Sequence, residues 1–425
     1  MRLSTVRPAC LAGLVLLLLS PAPPARAQIL PDRPVAWFGG RVVIGGNVSV
    51  AAASTEDHTY FNSGTYTEDT MRLIAAALTS SIALHSRIGI EADLRVAGEP
   101  DGSHWYFRPR TLALKVQPLS TPKFHVQAGL LQTAFGTASN RAYGRENLLI
   151  GRPLIYQYAT AIRGDAFPRH VPDLLHNRGL GAVAYYVVGD FFTYGDGDGS
   201  NYGYSGLPLA DTSGWNAGVR VAAGGDGLNA AATVTEGSLS NPRSRGSSGG
   251  WQASGRVETR RVTGLVLGAS AAHGRYLDRD LDVIVASAID NQDPRETAFG
   301  LDAEYSRDYW LVRAEALYSR RTVPILRQPL LADVLGVSGL DVEGRYRLAP
   351  GWYLAARLGS LLFGPASDEA GSTSWDANAF RVEAGTGWSV TRGLLLKATY
   401  QYNRRDIAGP LHSAHRVAVE ALAWF

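Results

Sequence analysis

Hydrophobic and polar residues alternate with a period of two through much of the chain. Ile88, Ile90, Ala92, Leu94 and Val96 are apolar, while Arg87, Glu91, Asp93 and Arg95 among them are charged. Successive side chains of an extended strand point to opposite faces, so this stretch has one apolar and one charged face. Leu340, Val342, Gly344, Tyr346 and Leu348 likewise oppose Asp341, Glu343, Arg345 and Arg347. Val417, Val419, Ala421, Ala423 and Phe425 oppose Arg416 and Glu420. About eighteen strands are expected on this reading, beginning near residues 37, 70, 87, 104, 123, 179, 190, 214, 228, 250, 264, 298, 310, 340, 352, 377, 394 and 414. The pair near 179 and 190 has the weakest pattern, and without it the count is sixteen.

The links between these strands alternate in length. His85-Ser86, Gly224 to Gly227, Arg261 to Thr263, Ala349-Pro350-Gly351 and Thr391-Arg392-Gly393 are tight turns. Residues 134–178, 198–213, 237–249, 276–297, 321–339, 363–376 and 405–413 are long and polar. Short turns on one side and long loops on the other are what a transmembrane antiparallel β-barrel needs. Aromatic residues gather at strand ends, as in Trp105-Tyr106-Phe107, Tyr309-Trp310 and Trp352-Tyr353, where an apolar band would meet water. The fold expected is therefore all-β, a barrel over residues 37–425 wide enough for an aqueous lumen. A soluble exported β protein is the competing reading, but it gives no reason for the alternation of loop lengths.

Residues 1–27 change the picture of charge and location. Arg2 and Arg7 precede an apolar run from Leu11 to Leu19, and Ala25-Arg26-Ala27 offers small residues at a cleavage point, the pattern of an export signal. Residues 28–36 would then be a short periplasmic segment. The chain carries 41 basic and 38 acidic residues. The excess of three is Arg2, Arg7 and Arg26, so the exported part is neutral, which argues against a nucleic-acid partner. The one cysteine, Cys10, also lies in the signal, which leaves no disulfide, thiolate metal site or cysteine nucleophile after cleavage.

The ending Val-Glu-Ala-Leu-Ala-Trp-Phe, closed by Phe425, resembles the C-terminal signal of bacterial outer-membrane barrels. Gln127-Ala128-Gly129-Leu130 followed by Phe135-Gly136 resembles a strand end in porins of the phosphate-selective O/P type. The resemblance implies an outer-membrane porin, assembled by the barrel assembly machinery among lipid and lipopolysaccharide, with the following loop folded into the pore. A homotrimer is common in such groups. That group's phosphate-binding run of lysines and arginines has no counterpart here, because Lys115, Lys123 and Lys397 are the only lysines.

The polar phase of each strand gives the lumen-facing candidates. Arg87, Glu91, Asp93, Arg95, Arg345 and Arg347 belong to it, as do Arg256, Arg357, Arg381, Arg416, Glu258, Asp302, Glu304, Glu315 and Glu383. Mixed signs on adjacent strands favour pairing across the wall over a ring of one charge. The longest loop, 134–178, holds Arg141, Arg145, Arg152, Arg163 and Arg169, and its stretch Asn147 to Tyr158 is too apolar for a solvated loop. Folded inward, it would form an arginine-rich constriction, and guanidinium groups fork onto carboxylates or phosphates. A loop that caps the outer mouth is the alternative.

Other motifs carry less. Gly246-Ser247-Ser248-Gly249-Gly250 has a hydrolase elbow's letters without its strand-to-helix context. Asp196 and Asp198 are spaced like calcium ligands but lack a closing Glu, so no metal is expected. Asp278, Asp280 and Asp282 share that weak pattern. The expected function is passive diffusion of small hydrophilic solutes with a mild anion preference, without cofactor and without catalysis. A barrel serving as sheath or scaffold for a partner protein, or an enzyme in the barrel wall, are the other classes.

Overall fold

The computed structural model describes residues 33–55, 61–62, 69–98, 105–119, 123–137, 141–142, 144–181, 186–188, 191–192, 206–211, 216–242, 250–281, 294–325, 334–368, 371–409 and 412–425. The expected signal at 1–27, the elbow letters at 246–249, Asp196, Asp198 and Asp282 lie outside them.

Among the described residues the barrel wall has sixteen strands, β1 Val42–Ala53, β2 Ile74–His85, β3 Ile88–Gly98, β4 Trp105–Val116, β5 Phe124–Leu131, β6 Asn216–Gly224, β7 Leu228–Glu236 and β8 Trp251–Val262. The second half comprises β9 Leu265–Arg275, β10 Arg295–Arg307, β11 Trp310–Arg321, β12 Leu335–Ala349, β13 Trp352–Phe363, β14 Ala379–Thr391, β15 Leu394–Arg405 and β16 Ser413–Trp424. Each strand pairs antiparallel with the next. Pairing of β16 with β1, as Val50 opposite Ala421, closes the sheet, so no edge is left to present unpaired backbone groups to lipid. A short strand, Val35–Trp37, adds to the start of β1.

Of the two counts the sequence allowed, the wall has sixteen and not eighteen. The described residues near 179 and 190 do not join it. Tyr186–Val188 and Phe191–Phe192 pair with Phe167–Pro168 in a small separate sheet. Hydrophobic alternation marks a strand without saying which sheet it enters.

In two of the tight turns Gly264 (φ +79°) and Gly351 (φ +78°) supply a left-handed residue without a Cβ penalty. All seven short turns fall at one end of the barrel, and the long links at the other.

The apolar phase of the strands faces outward. Leu78, Phe107, Leu112, Val219, Val257, Leu301, Leu340, Leu358 and Val417 are all exposed on the barrel's exterior. No water-soluble surface carries so continuous an apolar band, so its solvent is lipid. Trp37, Phe38, Tyr309, Trp310, Trp352 and Trp388 ring this band at the short-turn end. Trp105, Phe107, Trp251, Phe380 and Tyr400 ring it at the other. Tyr106 and Tyr353 are exceptions to the expected girdles. They share the inward phase, where Arg108 stacks on Tyr106 at 3.9 Å and Gly387 leaves room for the Tyr353 ring. Among the described residues no helix is long and apolar enough to cross a membrane, which says nothing of crossing by strands.

Candidate functional site: the lumen

The inward phase carries the charges, and on β8 to β14 they meet across the wall. Arg357 is fully buried, 3.0 Å from Glu343, 3.1 Å from Glu383 and 3.8 Å from Asp341. Arg313 bridges Glu304 at 2.9 Å and Glu343 at 3.0 Å. Arg256 forks onto Asp302 and also reaches Glu258. Register explains the pairs, since Glu343 lies opposite Arg357 and Arg357 opposite Glu383. A charge moved from water into such a place costs several kcal/mol unless partners surround it, and here they do.

Between β5 and β6 the chain leaves the wall for an excursion over residues 132–215, and its described parts lie against inward-facing side chains of the opposite wall. Gly136 N–H donates to Ser270 Oγ of β9 at 3.0 Å, and Thr137 N–H to Glu315 of β11 at 3.2 Å. Further along, Arg357 donates to Asn147 Oδ1 (2.9 Å), Tyr353 to the Leu148 carbonyl (3.0 Å) and Arg381 to the Arg152 carbonyl (2.9 Å). On β15, Thr399 Oγ1 accepts from Ile150 N–H at 3.2 Å, and Lys397 donates to the Gly144 carbonyl at 3.0 Å. These bonds replace the water that an irregular backbone would otherwise need. The Phe135-Gly136 step has its own reason. Gly136 has φ +55° and comes so close to Glu315 and the Tyr156 hydroxyl that a Cβ would collide with both.

Toward the long-loop end, contact becomes apolar. Leu154, Ile155, Tyr156, Tyr158, Ile162, Phe167 and Leu174 of the excursion share one core with Leu317, Val337, Leu361 and Phe363 of the wall and with Trp375. Leu174 belongs to the short helix α1, Val171–His176, which carries Pro172 in its first turn and has the His170 N–H donating to Asp173. Tyr156 O–H donates to Glu315 at 2.5 Å, and burial pushes its phenol well above the ordinary range. Trp375 stands edge-on to Phe363 at 4.7 Å and donates to the Gly336 carbonyl. Asp376, beside it, accepts from Ala161 N–H and Gly179 N–H, both at 2.7 Å. Burial pushes its carboxyl up to about 6, against the pull of these backbone donors.

What the described parts of the excursion leave open lies on the other side. A cavity of about 640 Å³ runs along β5 to β8 beneath residues 132–137 and Arg141. Lys123, His125, Arg141, Arg220, Arg256 and Arg260 line it, against one carboxylate, Glu258. Lys123 is held by Asp226 at 2.6 Å, Arg141 by Glu304 at 2.8 Å and Arg260 by Glu258 at 2.8 Å. A second cavity, of about 310 Å³, opens at the short-turn end beside Arg145, Arg313, Arg345, Arg347 and Tyr353.

The sequence-derived candidates are therefore dispersed. Of the five loop arginines, Arg141 lines the larger cavity and Arg145 the smaller one, paired with Glu146 at 3.3 Å. Arg152 is buried in the excursion, its carbonyl accepting from Arg381 of β14, Arg163 forks onto Asp165 at 2.9 Å, and Arg169 is half-buried before α1. Of the wall candidates, Glu91 is held by Lys115 and Gln127, and Asp93 by Arg110. Arg95 is buried beside β1 and β2, Arg345 stacks toward Tyr353 at 6.0 Å, and Arg87 sits exposed in a turn. Phe425 exchanges two backbone hydrogen bonds with Gly46, at 3.0 and 3.1 Å. Asp278 is buried, its N–H donating to the Gly164 carbonyl, and among the described residues no cluster is arranged to hold a metal. Sequence reading missed Arg220, His125, Trp375 and Asp376. Arg220 had a legible signal, a lone cation between Val219 and Val221.

No known family profile and no curated protein matches the chain. Solved structures do match in fold. An anion-selective porin from Comamonas acidovorans aligns with TM-score 0.54 at 10% identity, over 90% of this chain and 99% of that one. The trimer form of OmpT, an outer-membrane protein of Vibrio cholerae, gives 0.52 at 13% identity over 90% and 99%. OmpF of Salmonella typhi gives 0.50 at 11% identity over 90% and 97%. The fold is that of porin-like outer-membrane barrels.

Proposed function

We propose that this protein is an outer-membrane porin that passes small hydrophilic solutes down their gradient, without catalysis and with a preference for anions. The observation that carries this reading is the cavity along β5 to β8, where, among the described residues, cationic side chains outnumber carboxylates. A water-filled passage between low-dielectric walls focuses the field of its lining charges, so this one favours anions. The arginines keep their charge at any working pH. The apolar exterior supplies the membrane setting, and the fold's likeness to an anion-selective porin supports the same direction. A homotrimer is part of the proposal, prompted by the trimer form of one structural neighbour.

Single-channel recording of the refolded protein in a planar bilayer tests it. Discrete steps with a reversal potential shifted toward the anion are expected. A folded, inserted barrel that gives no steps would overturn the porin reading, and a cation-shifted reversal would overturn the selectivity.

A further inference from the structure

Among the cations lining the larger cavity, Arg220 differs from the rest. Lys123, Arg141, Arg256 and Arg260 are each engaged with a carboxylate, at Asp226, Glu304, Asp302 and Glu258. Arg220 is half-buried on the inward phase of β6, and among the described residues no carboxylate or hydrogen-bond acceptor meets its guanidinium. Glu91, the acid whose charge acts on it, is occupied by Lys115 at 2.7 Å and Gln127 at 2.6 Å. Register accounts for this. Arg220 lies opposite Gln127 on β5 and Thr233 on β7, both neutral. A guanidinium drawn partly out of water without a partner is an unfilled demand for an oxyanion.

We infer that the β5–β8 cavity is a binding site for a small organic carboxylate, held by the Arg220 fork. This rests on the porin reading in naming the class of solute, but it concerns binding alone. One uncommitted guanidinium offers one bidentate pair of donors, which matches a single carboxylate. A phosphate dianion would ask for further free donors, and the other cations are already engaged. The remainder of the lining suits a carbon body. Phe135, Ala222 and Ala231 lie along the cavity, and about 640 Å³ far exceeds the space one inorganic ion fills. His125, opposite Ala222 and one step along the sheet from Arg220, adds a polar edge.

The test is calorimetric titration of the refolded full-length barrel in detergent with benzoate, benzamide and inorganic phosphate. Benzoate is expected to bind, benzamide not, and phosphate more weakly than benzoate. Arg220→Gln should weaken benzoate by about tenfold or more, and Arg220→Lys should restore part of the loss, because a lysine offers charge without the fork. Among the described residues Arg220 holds nothing else in place, so both variants should keep the wild-type heat-modifiable mobility of a folded barrel. Equal benzoate affinity in wild type and Arg220→Gln would overturn the proposal, as would tighter binding of phosphate. The two readings fail separately. Channel steps without benzoate binding remove this site alone, while binding without steps removes the porin reading and leaves the site.

Discussion

Among the described residues one side of the lumen is filled and the other is open, although the same alternation of strands builds both. Along β10 to β15 several inward residues meet the excursion or one another. Arg357 has three carboxylates and Asn147, Glu315 has Tyr156, and Leu361 has the excursion's apolar core. Along β5 to β7 the inward positions hold small or neutral residues such as Ala222, Ala231 and Thr233, and the single cation among them, Arg220, is unopposed. Strand periodicity decides which side chains face inward. Whether a given inward charge supports the fold or faces a solute depends on what comes to meet it from elsewhere in the chain.

Four changes would break or sharpen this contrast. Replacing residues 144–181 with a flexible Gly-Ser linker should enlarge single-channel conductance several-fold, since it removes the filled side's contents. An unchanged conductance would mean that ions never cross the region the excursion occupies. Next in size, Arg357→Ala should cost about 3–5 kcal/mol by taking the guanidinium from buried Asp341 and Glu383, whereas Arg220→Gln should stay within about 0.5 kcal/mol. Urea unfolding of the two variants in lipid vesicles reads the difference, and similar costs would erase the distinction between the two sides. Leu154→Ala, at the centre of the apolar core, should cost about 2–5 kcal/mol and increase open-channel noise, which a recording with matched lipid would detect.

The smallest of the four is a pH dependence. Buried Asp376 titrates near 6 in the folded state against an ordinary value of 3.8. The folded state therefore binds the proton more readily. This contribution is fully present below about 4 and is lost as pH rises through 6, at about 1.4 kcal/mol per pKa unit. Asp376→Asn should flatten this part of the stability profile between pH 4 and 6. A profile that keeps its slope in Asp376→Asn would assign the titration elsewhere.

Much of the barrel was legible in the sequence because one physical rule, the period of two, runs through every strand. The short turns and the apolar exterior followed from it. The misreading near 179 and 190 came from the same rule. Tyr186, Val188 and Phe192 are extended and apolar, but they belong to a small sheet of the excursion, and nothing local tells a strand which partner to seek. The site was less legible. Arg141, Arg152 and Arg163 look alike in sequence, yet one lines a cavity, one is buried in the excursion and one closes on its neighbour Asp165. Those fates depend on register and on contacts across hundreds of residues. Asp376 was read as part of a polar loop, since only the tertiary structure brings Ala161 and Gly179 to its carboxylate.

The seam between β1 and β16 has a consequence for how the molecule can form. Ala52 pairs with Val419, and Gly46 exchanges hydrogen bonds with Phe425, so the ring is completed by residues from opposite ends of the chain. Every other wall contact between neighbouring strands, save that of β5 with β6, is local and can form as a hairpin within microseconds. The seam must wait for all of them. Until it zips, two edges stand open, and in hydrocarbon each unpaired backbone group on them costs several kcal/mol. A barrel lacking β16 is then an open sheet that lipid rejects, and insertion and closure become one event rather than two.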